Sequence, residues 1–268
     1  MNENFKNLLN EFIIIANKGW IKSISNGHGT VGLTFEKELG KKVDTNYNPD
    51  YEDIEIKCST RFSRHNISLF SIAFDGPSNK EIIRLNDNYG IPDKDFPDKK
   101  TLIKTINTSN LSELKNGYYL SLEINDNKLF LQVYDENKTL IDNQSYVYLE
   151  TIKKHLLTKI NNLAFIKASK KKNEKDREIF RYYEIYLYKL KSYDIFLELL
   201  KKGDIDVSLI SRISKSGSSA GKYFNKNLVF QIKRKNVEKL FDFIYYYNHD
   251  KKINYNKNFT KKEKFQIL

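Results

Sequence analysis

From Ile54 to Lys57 the chain reads Ile-Glu-Ile-Lys, and this strict alternation is its tightest constraint on conformation. Side chains of a strand point to opposite faces in turn, so Ile54 and Ile56 share one face and Glu55 and Lys57 share the other. Ahead of it, Pro49-Asp50-Tyr51-Glu52-Asp53 reads as a loop that brings further carboxylates close to Glu55. The stretch is therefore expected to be a strand with one apolar and one charged face, entered through an acidic turn.

Two carboxylates brought together suit a hard divalent cation, and Mg²⁺ prefers oxygen ligands with several waters retained. A lysine two residues along on the same face can hold a water or a phosphate oxygen beside that ion. Such a set is what metal-assisted phosphodiester hydrolysis requires. Glu-x-Lys is a common triplet in a chain that is 30% charged, and it recurs at Glu113-Leu114-Lys115 and Glu136-Asn137-Lys138. The first of these runs into the turn signal Asn116-Gly117, and the second sits in a polar hairpin tip. Glu55 and Lys57 alone lie on an alternating strand with acids upstream. Read from the residues only, a solvated strand face remains the alternative, and Asp50 and Asp53 compete as the second acid.

The chain has 268 residues, 40% apolar and 13% aromatic, enough for one large or two smaller folded domains. No run approaches 18 apolar residues, and the N-terminus lacks the pattern of a secretion signal. A single cysteine, Cys58, excludes an intramolecular disulfide and a multi-thiolate zinc site. A cytoplasmic protein is the expectation. Charge is unevenly placed: residues 1–150 hold 18 Lys+Arg against 22 Asp+Glu, whereas residues 151–268 hold 28 against 12. That asymmetry predicts chemistry in the first half and polyanion binding mostly in the second.

Along the chain, apolar spacing predicts a helix over 3–18, a short helix from Leu33 to Gly40 behind a glycine-rich turn, and a strand from Ile67 to Phe74. Residues 78–117 read as polar and punctuated. A hairpin pairs Tyr118–Ile124 with Lys128–Tyr134, and Tyr146–Ile160 reads as helix. Asn161 to Lys175 reads as a junction or basic loop, Phe180–Leu190 as a strand and Tyr193–Lys202 as a helix. Strands at Ile205–Ile213 and Leu228–Lys233 flank a small-residue basic loop from Ser214 to Lys222. Val237–Tyr247 reads as a last amphipathic helix. Mixed strands and helices without regular βαβ alternation predict an α/β (mixed α+β) fold.

Three groups of motifs in this order carry a resemblance. Gly29-Thr30-Val31-Gly32-Leu33-Thr34-Phe35-Glu36-Lys37-Glu38-Leu39-Gly40 resembles the G-x-G-x-T-x-E-x-x-L-G helix of MutH and of MvaI/BcnI-type restriction endonucleases. Pro49-Asp50 through Glu55-Ile56-Lys57, followed by Ser68-Leu69-Phe70-Ser71, resembles their Asp…Glu-x-Lys strand and the strand after it. Tyr186 to Gly203, Ile213 to Gly217 and Gly221-Lys222…Phe230-Gln231-Ile232 resemble the MvaI-type recognition region. The resemblance implies a PD-(D/E)xK nuclease core, with a catalytic lobe at 1–160 and a basic DNA-recognition lobe at 161–268. It implies Asp50 and Glu55 as Mg²⁺ ligands, Lys57 as the residue that positions the attacking water, and Glu36 as an accessory acid. The Pro-Asp placement favours Asp50 over Asp53. Asn225-Lys226-Asn227-Leu228 stands where MvaI-type enzymes often carry Asp-His-Gly-Thr, so the target sequence is not implied.

Arg212, Lys215, Ser216, Lys222 and Gln231 are the candidate DNA contacts. Small residues around the two lysines allow close approach to phosphate, and Arg or Gln can form paired bonds to base edges. The implied activity is that of a monomeric type II restriction endonuclease, Mg²⁺-dependent, acting on double-stranded DNA beside an unattached cognate methyltransferase. A MutH-like nickase and a non-catalytic DNA-binding protein are the alternatives.

Overall fold

The computed structural model describes residues 1–25, 29–40, 48–60, 66–78 and 80–256. It opens with α1 (Glu3–Asn17), β1 (Ile21–Lys22), α2 (Thr30–Glu38), β2 (Ile54–Thr60) and β3 (Ile67–Ile72). Then come α3 (Glu81–Tyr89), β4 (Ile91–Pro92), β5 (Lys100–Ile106), β6 (Ser112–Glu113), β7 (Tyr119–Asn125), β8 (Lys128–Tyr134) and β9 (Leu140–Tyr148). The rest comprises α4 (Leu149–Lys159), β10 (Asn162–Lys172), β11 (Glu178–Leu190), α5 (Tyr193–Lys201), β12 (Ile205–Ile213), β13 (Tyr223–Ile232), α6 (Val237–Leu240), β14 (Phe241–Asn248) and β15 (Ile253–Asn256).

Two compact units share these elements, and neither is a continuous half of the chain. The first takes residues 1–65, 158–191 and 238–268, and the second takes 66–157 and 192–237. A cut at 160, as the sequence suggested, does not coincide with this division. Charge does not follow it either: the first unit holds 26 Lys+Arg against 17 Asp+Glu, the second 20 against 17. The positive excess therefore lies mainly with the unit that carries Glu55.

The first unit is built on a six-stranded sheet of order β15-β14-β11-β10-β2, with β1 beside β11. β2 and β10 run parallel, and the other pairs are antiparallel. Register sets Lys57, Phe165, Tyr186, Tyr246 and Tyr255 in one row across five strands. The opposite face packs on α1, whose stripe of Phe5, Leu8, Phe12, Ile15 and Ala16 meets Ile54, Ile56, Ala164, Ile166, Phe180 and Tyr182. Each buried Leu, Ile or Phe among them contributes about 1.5–3 kcal/mol. Asn2 caps α1 by accepting the Phe5 N–H at 2.9 Å, worth about 1 kcal/mol.

The second unit holds a five-stranded sheet, β3-β13-β12-β5-β4, and a four-stranded one, β6-β7-β8-β9. Phe70 and Phe230 stack at 4.8 Å under Phe196 of α5. A buried cluster of Glu81, Arg84, Tyr89, Asp142 and Ser145 ties α3 to β9.

Four readings of the sequence are corrected. Asn161–Lys175 is no loop: Asn162 to Ile166 are buried in mid-sheet, and a strand covered on both faces shows a continuous apolar run instead of alternation. Residues 237–247 hold one helical turn and then β14, because Phe-Asp-Phe-Ile-Tyr-Tyr-Tyr pairs with β11. Tyr146–Tyr148 end a strand, and α4 begins at Leu149. The polar region 78–117 contains α3 and β5. Gly27 and His28 of the glycine-rich turn lie outside the described residues.

Candidate active site

A tight turn aims the acidic loop at β2. Tyr51 and Ile54 exchange N–H···O bonds of 3.0 and 2.7 Å, and Glu52 takes the left-handed conformation, φ 48°, that closes the turn. The reversal lays Asp50 along the strand, where its Oδ2 accepts the Ile56 N–H at 3.1 Å. Asp53 is committed elsewhere, bonded to Asn4 at 2.8 Å and Asn162 at 2.6 Å.

Glu55 is 1% exposed. Lys57 Nζ lies 2.5 Å from its Oε1, and Lys159 Nζ, at the end of α4, lies 3.6 Å from its Oε2. Oε2 is buried and receives no hydrogen bond among the described residues. Burial pushes the Glu55 carboxyl above its ordinary value; Lys57 opposes this and the nearby Asp50 charge reinforces it. A buried carboxylate oxygen that receives no hydrogen bond is costly, and beside a second acid it is a fitting ligand for a cation. Among the described residues no group of three or more His, Cys, Asp or Glu forms a metal cage. A pair of acids is nonetheless what Mg²⁺, which keeps several waters, asks of a protein.

Glu36 stands on the other side of β2. Its Oε1 folds back toward Gly32, where an added Cβ would lie 3.7 Å from it. Its charge acts on Cys58, which alternates away from Lys57, and on Tyr182: burial first, then Glu36 and Asp50, push the Cys58 thiol up. The structure thus brings Asp50, Glu55 and Lys57 together, and the charges of Glu36 and Asp50 both reach Cys58. Lys159 was missed. It is 102 residues from Lys57 in sequence; the faint signal is its position on the stripe of α4 that also buries Ile152 and Leu156.

The candidate DNA contacts do not form one cluster. Arg212, Lys215, Ser216 and Lys222 gather at the tip of the β12–β13 hairpin, closed by Ser214 N–H to Lys222 O at 2.9 Å. Arg212 is exposed and lies 4.7 Å over its register partner Phe224. Lys215 is engaged by Asp93 and by Asp95 at 3.0 Å, and Lys99 Nζ donates to Gly221 O at 2.6 Å. Gln231 pairs with Asp206 at the other end of the hairpin, about 20 Å from Arg212 at ~3.3 Å per residue. Its Nε2 donates to Ser208 Oγ at 2.8 Å, which in turn meets Thr105 Oγ1 at 2.7 Å.

No helix is long and apolar enough to cross a membrane among the described residues. Comparison with known proteins gives a match of residues 9–241 to a family model, that of the MvaI/BcnI restriction endonuclease family. The fold is similar to that of restriction endonuclease MvaI in complex with its cognate DNA substrate: TM-score 0.84, 23% identity, over 91% of this chain and 98% of that one. It is also similar to MvaI in the absence of DNA, with TM-score 0.55 and 22% identity over 91% and 97% of the two chains. A search of curated protein sequences returned no significant match.

Proposed function

The chain belongs to the MvaI/BcnI restriction endonuclease family, and from that premise we propose that it cuts double-stranded DNA with Mg²⁺ held by Asp50 and Glu55. Membership makes it a type II, site-specific DNA endonuclease. The observation that carries the metal assignment is Glu55 Oε2, buried, without a hydrogen bond, and close to Asp50.

Bound Mg²⁺ supplies Lewis acidity and a water of lowered pKa. Lys57, already at Oε1 of Glu55, would orient the attacking water against phosphorus. Attack by the water oxygen on phosphorus would break the bond to the leaving sugar oxygen, the water giving up a proton to solvent and the leaving oxygen taking one from it. Lys159 adds a second positive charge where negative charge grows in the transition state. Glu36 serves as an accessory acid from the α2 side. The β12–β13 hairpin contacts DNA, with Arg212 toward base edges and Ser216 and Lys222 toward phosphate; Gln231 and Lys215 would join them by exchanging their bonds to Ser208 and to Asp93 and Asp95 for DNA. The enzyme works as a monomer in the cytoplasm, and a separate methyltransferase protects the host sequence.

The test is plasmid digestion followed by sequencing of the ends. Discrete ends in Mg²⁺, none in EDTA, and retained binding without cutting in Ca²⁺ are expected. Full cutting in EDTA would sink the metal mechanism.

A further inference from the structure

The face of the six-stranded sheet that carries Glu55 and Lys57 continues well past the acid pair. Phe165 is the register partner of Lys57, so residues 167, 169 and 171 of β10 alternate onto the same face. The register irregularity after Lys167 is taken up by Tyr183 on β11, and beyond it Ser169 pairs with Arg181 and Lys171 with Ile179. Lys167, Lys171 and Arg181 therefore lie along one face, leading away from Lys57.

Trp20, just ahead of β1, sits at the far end. Lys171 Nζ lies 4.3 Å and Arg181 Cζ 5.7 Å from its ring centre. This is the sole tryptophan of the chain, and it is 39% exposed. Neighbouring acids are engaged: Asp250 by Arg181 at 2.7 Å, Glu178 by Lys170 at 2.8 Å, Asp176 by Lys172 at 2.7 Å and Glu184 by Lys167 at 3.3 Å. Lys171 is exposed and has no acidic partner among the described residues. An indole in contact with two cations, one of them without an acidic partner among the described residues, suits a polyanion with apolar edges. The unit also carries most of the chain's positive excess.

Six residues of β10 separate Phe165 from Lys171, about 20 Å at ~3.3 Å per residue. That is about six base pairs of duplex at ~3.4 Å each. We propose that Trp20, Lys171 and Arg181 form a contact surface for the backbone of duplex DNA about six base pairs from the cleaved bond. Lys171 neutralises a phosphate there, and the indole edge packs against the adjoining sugar. The distance rests on the assignment of Lys57 to the cleavage site; the class of ligand rests on the charge and exposure of the patch itself.

Because Trp20 is the only tryptophan, the emission of the full chain reports this patch directly. It is titrated in Ca²⁺ with two duplexes centred on the mapped cleavage site, one extending three base pairs beyond each cut and one extending ten. Emission should change with the longer duplex only. Lys171→Ala should weaken binding of the longer duplex about five- to tenfold and lower the log–log salt slope by about one, leaving the shorter unaffected. An equal emission change with both duplexes, no change with either, or unaltered affinity of Lys171→Ala for the longer one overturns the proposal. So does a response to polyglutamate but not to DNA. Failure to cleave in Mg²⁺ would instead sink the nuclease assignment, and a 30-base-pair duplex of arbitrary sequence would then test the patch alone: emission that responds to it keeps duplex DNA as the ligand, and emission that does not removes it.

Discussion

Each compact unit buries a group of carboxylates, and the two groups are treated in opposite ways. Around Asp142 nearly every polar atom is matched. Arg84 donates to it at 2.5 and 3.4 Å, the Tyr89 hydroxyl at 2.9 Å and the Gln144 N–H at 3.2 Å, while Arg84 and Ser145 both donate to Glu81. Burial pushes the Asp142 carboxyl up, but these donors outweigh it and hold it below the ordinary aspartate value. Around Glu55 burial wins, the carboxyl is held above the ordinary value, and Oε2 lacks a donor. The first arrangement fastens α3 to β9. The second leaves a carboxylate under-satisfied at a cost in stability, which the proposed cation would offset.

The sharpest way to break this contrast is to neutralise each acid. Glu55→Gln should lower cleavage by about 10³-fold or more, while thermal unfolding in EDTA shows an unchanged or higher Tm. A Tm that collapsed would make Glu55 a structural residue. Arg84→Met should do the reverse, leaving Glu81 and Asp142 uncompensated and costing about 3–5 kcal/mol in urea unfolding. Cleavage by the remaining folded fraction should stay intact.

A smaller effect is expected on replacing Lys159. Lys159→Met should lower cleavage about 10–100-fold, with DNA binding in Ca²⁺ little changed. Equal losses in binding and cutting would assign it to grip instead of chemistry.

The subtlest effect is in pH. Asp142, with its depressed folded value, contributes stability above the ordinary aspartate value that is lost as pH falls through its lower folded value. Glu55 has the opposite sign: the fold gains stability as pH falls through its raised value toward that of an ordinary glutamate. Tm against pH in EDTA should therefore lose its rise in the window just above the ordinary glutamate value in Glu55→Gln. An unchanged curve would mean that Glu55 is not held protonated-side by burial.

The strand that carries Glu55 and Lys57 was legible because its alternation survives in sequence. Ile54 and Ile56 face α1 while Glu55 and Lys57 face away, as period two requires. Asp50 could be separated from Asp53 only by the turn, which sends one carboxylate to Ile56 and the other to Asn4 and Asn162. β10 was hidden because burial on both faces erases alternation, and its basic tail imitates a loop. Val237, Leu240, Phe241 and Ile244 fit a helical stripe as well as a strand, and only pairing with β11 decides between them. Lys159 and the division into units depend on contacts across roughly a hundred residues, to which local periodicity is blind.

That long separation has a consequence during synthesis. β2 and its parallel neighbour β10 are joined by a connection that carries residues 66–157 of the other unit, and the sheet gains β14 only at Phe241–Asn248. Closing so long a loop precedes any gain from the pairing. From Lys57 to Asn248 a ribosome needs roughly 10–40 s at ~5–20 residues per second. Glu55 and Lys57 lack the neighbouring strand of their sheet until β10 is made, about a hundred residues later, and β14 joins the far side of β11 last. A chain interrupted before β10 therefore carries Glu55 and Lys57 on a strand that has no neighbour in its sheet.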